Sequence, residues 1–125
     1  METQFYERKP EVIEAVELSA ENYIEIAKWT GGLYKLVATR PHIIELTIPN
    51  VFGNQKAQLK FYAKRGATTE EYSLIDKQIH NEEFPTSDLR HNFEYNGDMI
   101  IRKNNRFSVL SQEEFRDTYE LLSDN

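Results

Sequence analysis

Residues 57–64 alternate strictly between apolar and polar or hydroxylated side chains. The order is Ala57, Gln58, Leu59, Lys60, Phe61, Tyr62, Ala63 and Lys64. Successive side chains of a β-strand point to opposite faces, so this alternation predicts a strand with one buried and one solvated face. The apolar face of such a strand must be covered by a second layer of structure. The chain is therefore restricted to folds that contain a sheet packed on another layer.

Runs rich in β-branched and aromatic residues precede this strand. Residues 33–39 and 43–48 predict two strands or one broken strand, because Pro41 disfavours helix in the residue before it and interrupts a ladder. Residues 50–54 contain Gly53 and predict a turn. Together with residues 57–64, these runs favour an antiparallel arrangement of neighbouring strands.

The N-terminal part predicts a strand followed by a helix. Residues 11–18 (EVIEAVEL) suit a strand, although the same residues also fit a helical stripe behind Pro10. Ser19 is expected to be the N-cap of a helix that continues to about Thr30. Gly31 and Gly32 supply the permissive backbone that ends it.

The rest of the chain predicts a helix, a loop, a hairpin and a second helix. Residues 68–80 have capping-box spacing and favour helix over strand, and the polar residues 81–92 predict a loop. Residues 99–102 and 106–110 flank Asn104 and Asn105, which tolerate the left-handed backbone of a tight hairpin turn. Ser111 is expected to cap a C-terminal helix with Phe115, Tyr119 and Leu122 on one face.

Length and composition point to one α+β domain. The hydrophobic fraction of 39% is enough for one buried core. The length of 125 residues is too short for two typical domains. We therefore expect residues 1–125 to form a single domain, mainly antiparallel sheet. A short helix follows the first strand, and a hairpin plus helix closes the chain.

Charge and cysteine content narrow the classes of function. The net charge of −6 opposes general attraction to nucleic acid or anionic lipid. The chain has no cysteine, which excludes disulfides and thiolate chemistry and agrees with a reducing cytosol. It has no apolar run of about 18 residues, so we expect no membrane contact and a location in the cytoplasm.

Four short motifs resemble a group of uncharacterised small phage and prophage proteins. They are the segment Arg8-Lys9-Pro10 with the strand VIEAV, the helix at residues 24–29, the hairpin start Gly97-Asp98-Met99-Ile100-Ile101, and the ending FRDTY from Phe115 to Tyr119. Members of that group begin with an RKPxxxEA-type strand and close with a GDxII hairpin and a Phe-x-x-x-Tyr ending. The resemblance implies a phage origin, an α+β fold and a bacterial host cytoplasm, and it supplies no catalytic residue.

This chain also departs from the group's pattern. Met99 stands where an aromatic residue is usual, residues 103–106 (KNNR) replace a glycine pair, and residues 51–93 form a longer middle. An activity special to this chain is therefore expected in the middle segment.

The sequence contains no catalytic or metal-binding motif that would indicate an enzyme. His42, His80 and His91 lack the spacing of zinc motifs, and we expect them to be surface or capping residues. Ser87, Asp88 and His91 could assemble a triad, but no nucleophile elbow accompanies them, and no phosphate-binding glycine motif is present. We predict a protein without catalysis, cofactor or metal.

Two single residues have both a functional and a structural interpretation. Asp98 resembles a catalytic carboxylate, yet its place beside Gly97 favours a side chain that accepts backbone hydrogen bonds at the entry to the hairpin. Trp29 is a candidate partner anchor, although packing of the helix onto the sheet is its commoner role.

The solvated face of residues 58–64 is the main candidate for a ligand site. Alternating lysine and tyrosine side chains could hold an anionic, nucleotide-like ligand by charge and stacking. An edge strand whose lysines discourage aggregation is the alternative, and we favour it. The candidate binding residues are Lys60, Tyr62, Lys64, Arg65, Arg90, His91 and Trp29.

These observations support three hypotheses of function. The first is a phage accessory protein that binds and inhibits a host protein, namely a component of anti-phage defence or CRISPR immunity. The second is a protein that sequesters a nucleotide-like immune signal, at a subunit interface if the chain forms a homo-oligomer. The third is a structural or assembly protein of the virion.

Overall fold

The computed structural model describes residues 1–8, 11–82 and 92–121. These residues form two antiparallel sheets and three helices. The strands are β1 (Gln4–Arg8), β2 (Glu11–Glu17), β3 (Leu33–Thr39), β4 (His42–Ile48), β5 (Gln55–Ala63), β6 (Phe93–Gly97), β7 (Met99–Lys103), β8 (Arg106–Leu110) and β9 (Glu120–Leu121). The helices are α1 (Tyr23–Thr30), α2 (Thr69–His80) and α3 (Gln112–Thr118). The expected α+β class with mainly antiparallel sheet is confirmed.

The two sheets are formed by different parts of the chain. The central sheet is a meander with strand order β3-β4-β5-β6. The terminal sheet has order β8-β7-β2-β1-β9 and therefore joins the N-terminal strands to the C-terminal ones. Among the described residues, each helix is too short or too polar to span a bilayer.

The main core lies between the two sheets and the first two helices. It combines buried residues of the central sheet, the terminal sheet, α1 and α2 in one cluster. Alternate residues of β5, among them Leu59 and Phe61, point into this core, which confirms the alternation predicted for residues 57–64. A smaller cluster on the other face of the terminal sheet is covered by α3 and comprises Ile13, Ala15, Met99, Ile101 and Phe115.

Several predicted elements are present with small changes of boundary. Residues 11–17 of the predicted segment 11–18 form strand β2 and not a helix, and residues 33–39 and 43–48 lie in two antiparallel strands. Thr68 caps α2 through a capping box, as Ser111 does for α3. Asn104 and Asn105 have φ of 52° and 61° and connect β7 to β8, which confirms the hairpin. The C-terminal helix ends at Thr118, so the prediction that it includes Tyr119 is wrong: Tyr119 is extended and leads into β9, and Leu122 lies outside the described residues.

The predicted start of α1 is wrong. The N-cap is Asn22 and not Ser19. The Asn22 side chain accepts a hydrogen bond from the backbone N–H of Ser19 at 2.7 Å and donates to the carbonyl oxygen of Glu17 at 2.8 Å. This closes a turn over residues 19–22 and delays the helix by one turn. The helix ends as predicted, with Gly31 in the left-handed conformation at φ 69°.

Gly97 and Asp98 form the crossover between the sheets. The Asp98 backbone N–H donates to Gln58 of the central sheet at 3.1 Å, and its carbonyl accepts from Leu18, just after β2, at 2.9 Å. Its carboxylate accepts the backbone N–H of Gln58 at 2.8 Å. The prediction that this side chain accepts a backbone hydrogen bond is confirmed, and the donor belongs to the neighbouring sheet.

Candidate functional site

The solvated face of β5 lies in the middle of the central sheet. The β5 strand is hydrogen-bonded to β4 on one side and β6 on the other, so the interpretation as an edge strand is wrong. Lys60 lies between Ile43 and Asn96, and Tyr62 lies opposite Glu94. The lysines of this strand therefore do not serve to protect a sheet edge.

Carboxylates are interleaved with the cations on this face. Lys56 Nζ lies 3.7 Å from a carboxylate oxygen of Glu45, and Glu94 is exposed beside Tyr62. Lys64 and Arg65 follow the end of β5 and are exposed. Arg90 and His91, with Ser87 and Asp88, lie outside the described residues. Alternating charge of both signs makes this face a weak attractor for an anionic ligand.

Trp29 packs α1 onto the terminal sheet. Its ring meets Phe107 of β8 edge to face at 4.9 Å between centroids, and the Arg102 guanidinium lies 5.4 Å from the ring centroid. The side chain is partly buried against the main core. Packing of the helix onto the sheet is the role expected to be the commoner one for this residue.

His42 is a core residue, so its interpretation as a surface or capping histidine is wrong. Its side chain is 0% exposed, and Nε2 lies 2.5 Å from a carboxylate oxygen of Asp76 on α2. A carboxylate only accepts, so Nε2 donates. The ring also stacks on Tyr72 at 5.7 Å between centroids. His42 thus joins β4 to α2, while His80 is exposed and His91 is outside the described residues.

A groove of about 580 Å³ lies between β3 and α2. Tyr34 at its wall donates a hydrogen bond to Glu82, and burial followed by this bond raises the Tyr34 pKa. Burial, with the nearby Tyr34 and Glu82, raises the pKa of Tyr23 to about 12. Its lining pairs the acids Asp76 and Glu82 with Lys77 and His80, so it offers no concentration of positive charge for a nucleotide-like anion. In the described part of the chain, no group of three metal-ligating side chains is found.

Two highly exposed apolar side chains, one of them the most exposed of the described large apolar residues, lie in the turn between β4 and β5. Phe52 is 92% exposed and Val51 is 69% exposed. The prediction of a turn at residues 50–54 is confirmed, with Gly53 at φ 118°. A large apolar side chain left in water at a turn contributes nothing to the core, and Val51 and Phe52 are neighbours that expose contiguous apolar surface, which is a feature of interaction sites.

Two amide side chains hold this turn against the terminal sheet. Asn50 donates from Nδ2 to the carbonyl of Phe107 at 3.0 Å, and its Oδ1 accepts from the backbone of Phe52 at 3.3 Å. Gln55 donates to the same carbonyl at 3.2 Å and accepts the N–H of Val109 at 3.0 Å. The turn is therefore fixed on both sides to strand β8.

A groove of about 510 Å³ lies beside Phe52 at the end of the β7–β8 hairpin. Lys103 and Arg106 are exposed there and lie directly opposite each other in the hairpin. We call this area the tip surface, and it consists of Asn50, Val51, Phe52, Lys103, Asn104, Arg106, Phe107 and Ser108.

None of the sequence-predicted site residues that the structure describes belongs to the tip surface. Of the candidates named from sequence, the described ones are divided between the β5 face and the packing of α1. A signal for the tip was nevertheless present, because Val51 and Phe52 are apolar residues inside a segment predicted to be a solvent-exposed turn. The contribution of the hairpin to the same surface depends on tertiary structure and has no local signal.

Comparisons of the chain with protein-family models, with curated proteins and with solved structures find no match.

Proposed function

We propose that this chain is a phage accessory protein that binds a host protein of bacterial immunity through the tip surface and inhibits it without catalysis. The phage origin is supported by the sequence resemblance in the hairpin and the ending. The observation that carries the binding role is Phe52, held at 92% exposure on an anchored turn. An interface of roughly 800 Å² on each side is enough for a compact domain to occlude a partner.

The anchored turn supports binding for an energetic reason. Hydrogen bonds from Asn50 and Gln55 to β8 fix the turn before any partner arrives. A preorganised loop loses less conformational entropy on association than a free one does. Aromatic side chains, phenylalanine among them, are also enriched in interfaces relative to the rest of a protein surface.

The test compares Phe52→Ala with the wild-type protein in phage plating on hosts that carry defined defence systems. We expect the wild type to raise plating efficiency on at least one such host and the variant to lose that effect. Truncation of a dominant interface residue costs about 2 kcal/mol or more, which corresponds to a loss of affinity above about tenfold. Affinity purification with both proteins identifies the host protein whose recovery depends on Phe52.

Leu74→Ala is the matched control, because Leu74 is also a large exposed apolar residue and lies on α2. It is expected to behave as the wild type does. Equal plating with wild type and Phe52→Ala contradicts the proposal. The hypotheses of a sequestered nucleotide-like signal and of a virion component stay predictions.

A further inference from the structure

We propose that the interface of the partner extends from the tip surface across the end of the β7–β8 hairpin to Phe5 and Val12, so that one protein surface covers both sides of the hairpin. The inference rests on the proposed function and adds two binding residues to it. It begins from the size of the tip surface. Seven residues line its groove and Val51 joins them, whereas a stable interface uses about 20 to 30 residues on each side. A partner that binds Phe52 must therefore also cover neighbouring surface.

The surface on the other side of the hairpin carries a further apolar patch. A groove of about 200 Å³ lies there, between Phe5, Val12 and the end of the hairpin. Phe5 is 52% exposed and Val12 is 53% exposed. Lys103 and Asn104 line this groove and also line the groove beside Phe52. The two grooves therefore meet at the end of the hairpin, where one partner can enter both.

Strand register places Phe5 on the face of the terminal sheet that points toward the main core. One row of directly opposite residues crosses the sheet from β8 to β1, and it consists of Phe107, Arg102, Glu14 and Phe5. Opposite residues share a face. Phe107 packs against the main core at one end of the row, whereas Phe5 is half exposed at the other. Val12, two positions before Glu14, lies on the same face.

The separation of the two apolar areas fits a single interface. Neighbouring strands are about 4.8 Å apart, and three such steps place Phe5 about 14 Å from Phe107. Phe107 itself lines the groove beside Phe52. A circular interface of roughly 800 Å² on each side is about 30 Å across. An interface of this size that is centred on the end of the hairpin therefore contains both areas.

An ion pair between the two areas determines the chemistry of the partner. Arg102 donates from Nε to a carboxylate oxygen of Glu14 at 3.0 Å, and its guanidinium lies 5.4 Å from the ring centroid of Trp29. A charge placed over this pair would be attracted by one member and repelled by the other. We therefore expect the partner to present two apolar areas about 14 Å apart, as the strand spacing requires, with a polar and uncharged strip between them.

A purely structural role of Phe5 and Val12 is the alternative. They are diagonal neighbours in the β1–β2 pair, because Phe5 lies opposite Glu14 and Val12 opposite Glu7. Such aromatic and β-branched neighbours contribute to the stability of a sheet. That role alone predicts that substitution lowers stability and leaves binding unchanged. Threonine keeps strand propensity and removes apolar surface, so Phe5→Thr plus Val12→Thr separates the two roles.

The probe is a displayed library of a small protein domain with a randomised surface, selected on the full-length protein. Binders that also bind Phe52→Ala are removed, so that the surviving binders depend on Phe52. We expect their affinity to fall by about tenfold or more with Phe5→Thr plus Val12→Thr. Val12→Thr alone is the milder variant and should give a smaller loss. The urea midpoints of both variants should stay close to that of the wild type.

Leu33→Thr plus Val37→Thr is the matched control. It removes two apolar side chains that are 77% and 43% exposed on β3 of the central sheet. Binding should stay close to that of the wild type in this control. Equal loss in both double variants would show that the binders respond to exposed apolar surface in general, and it would overturn the inference.

The remaining outcomes separate this inference from the proposed function. Surviving binders that bind equally to Phe5→Thr plus Val12→Thr overturn the extended interface and leave the proposed function standing. Failure to obtain any binder that depends on Phe52 contradicts both. Loss of binding only together with a lowered urea midpoint, and none with Val12→Thr alone, assigns the two residues to folding and overturns the inference. A concentration-dependent dimer that the double variant abolishes also overturns it, because a second copy would then be the occupant.

Discussion

At the scale of single residues, the connection between the two sheets depends on Gly97, which has no side chain. A Cβ atom placed on Gly97 would lie 1.7 Å from the carbonyl oxygen of Leu18. That oxygen belongs to the backbone beside the hydrogen bond from Leu18 to Asp98, so it cannot move away without separating the two sheets. Glycine at this position is therefore explained by close approach and not by an unusual φ.

Gly97→Ala is expected to lower the free energy of unfolding by about 3 kcal/mol, because overpacking against a fixed backbone forces strands apart. Urea denaturation followed by circular dichroism measures the change. Gly66→Ala is the control, since Gly66 has φ 75° with open space around it and alanine there costs about 1 kcal/mol for the left-handed backbone. Equal costs at the two positions would contradict the close-approach explanation.

At the scale of elements, the start of α2 is fixed by a reciprocal pair of hydrogen bonds. Thr68 Oγ1 accepts the N–H of Glu71 at 3.1 Å, and the Glu71 carboxylate accepts the N–H of Thr68 at 3.0 Å. The carboxylate also accepts from the Asn92 side chain at 3.0 Å, which connects the helix to the segment before β6. The Thr68 backbone N–H and then the Asn92 side chain hold the Glu71 pKa below its ordinary value of 4.5.

Thr68→Ala is expected to destabilise the protein by about 1 kcal/mol at neutral pH, the usual cost of losing an N-cap side chain. The contribution of Glu71 depends on pH. Because the pKa of Glu71 is lower in the folded state, its stabilisation is complete above about pH 4.5 and is lost as the pH falls through the folded-state pKa.

The difference in urea midpoint between wild type and Glu71→Ala should therefore be larger at pH 7 than at pH 3. The same comparison for Ser111→Ala, which removes the equivalent acceptor of α3, supplies the control for a cap alone. A Glu71→Ala effect that does not change with pH would contradict the assignment.

Elements with a local signal could be predicted from sequence, and those that depend on pairing could not. Three kinds of feature are determined by residues close together in the sequence. They are the capping boxes of α2 and α3, the alternation of β5 and the Asn104-Asn105 turn. In contrast, β1, β6 and β9 were not predicted. Each is short, and its place follows from the strand beside it: β1 pairs with β2, and β6 pairs with β5.

The candidate site shows the same limit. A sequence pattern places lysines and a tyrosine on one face of β5, but it does not reveal that Glu94 lies opposite Tyr62 or that β5 is an inner strand. Nor does it show that His42 is buried against Asp76, because the partner is 34 positions away. The tip surface joins residues 50–52 to residues 103–108, so only the fold could assemble it.

At the scale of the whole molecule, the two sheets share one core. Val16 and Ile100 of the terminal sheet lie in the same buried cluster as Ile44 and Leu59 of the central sheet, with α1 among them. Neither sheet can lose its packing without exposing residues of the other. The crossover at Asp98 adds hydrogen bonds to both.

We therefore expect a single cooperative unfolding transition. Trp29 fluorescence reports the contact between α1 and the terminal sheet, whereas far-ultraviolet circular dichroism reports all of the secondary structure. The two signals should give coincident urea curves, and the calorimetric and van't Hoff enthalpies should agree. A fluorescence transition at lower urea than the dichroism transition would show that the terminal sheet unfolds separately.

The amide of Gln55 has a further consequence for the solubility of the molecule. Strand β8 is an outer strand of the terminal sheet, and a bare outer strand is a template on which another chain can add. One carbonyl and one N–H of that strand are already satisfied by the Gln55 amide, which bonds as a peptide unit of a neighbouring strand would. The Gln55 side chain thus occupies, at one position, the place where a further strand would pair with β8. We therefore expect Gln55→Ala both to expose this part of the β8 edge to pairing and to loosen the attachment of the turn that carries Phe52.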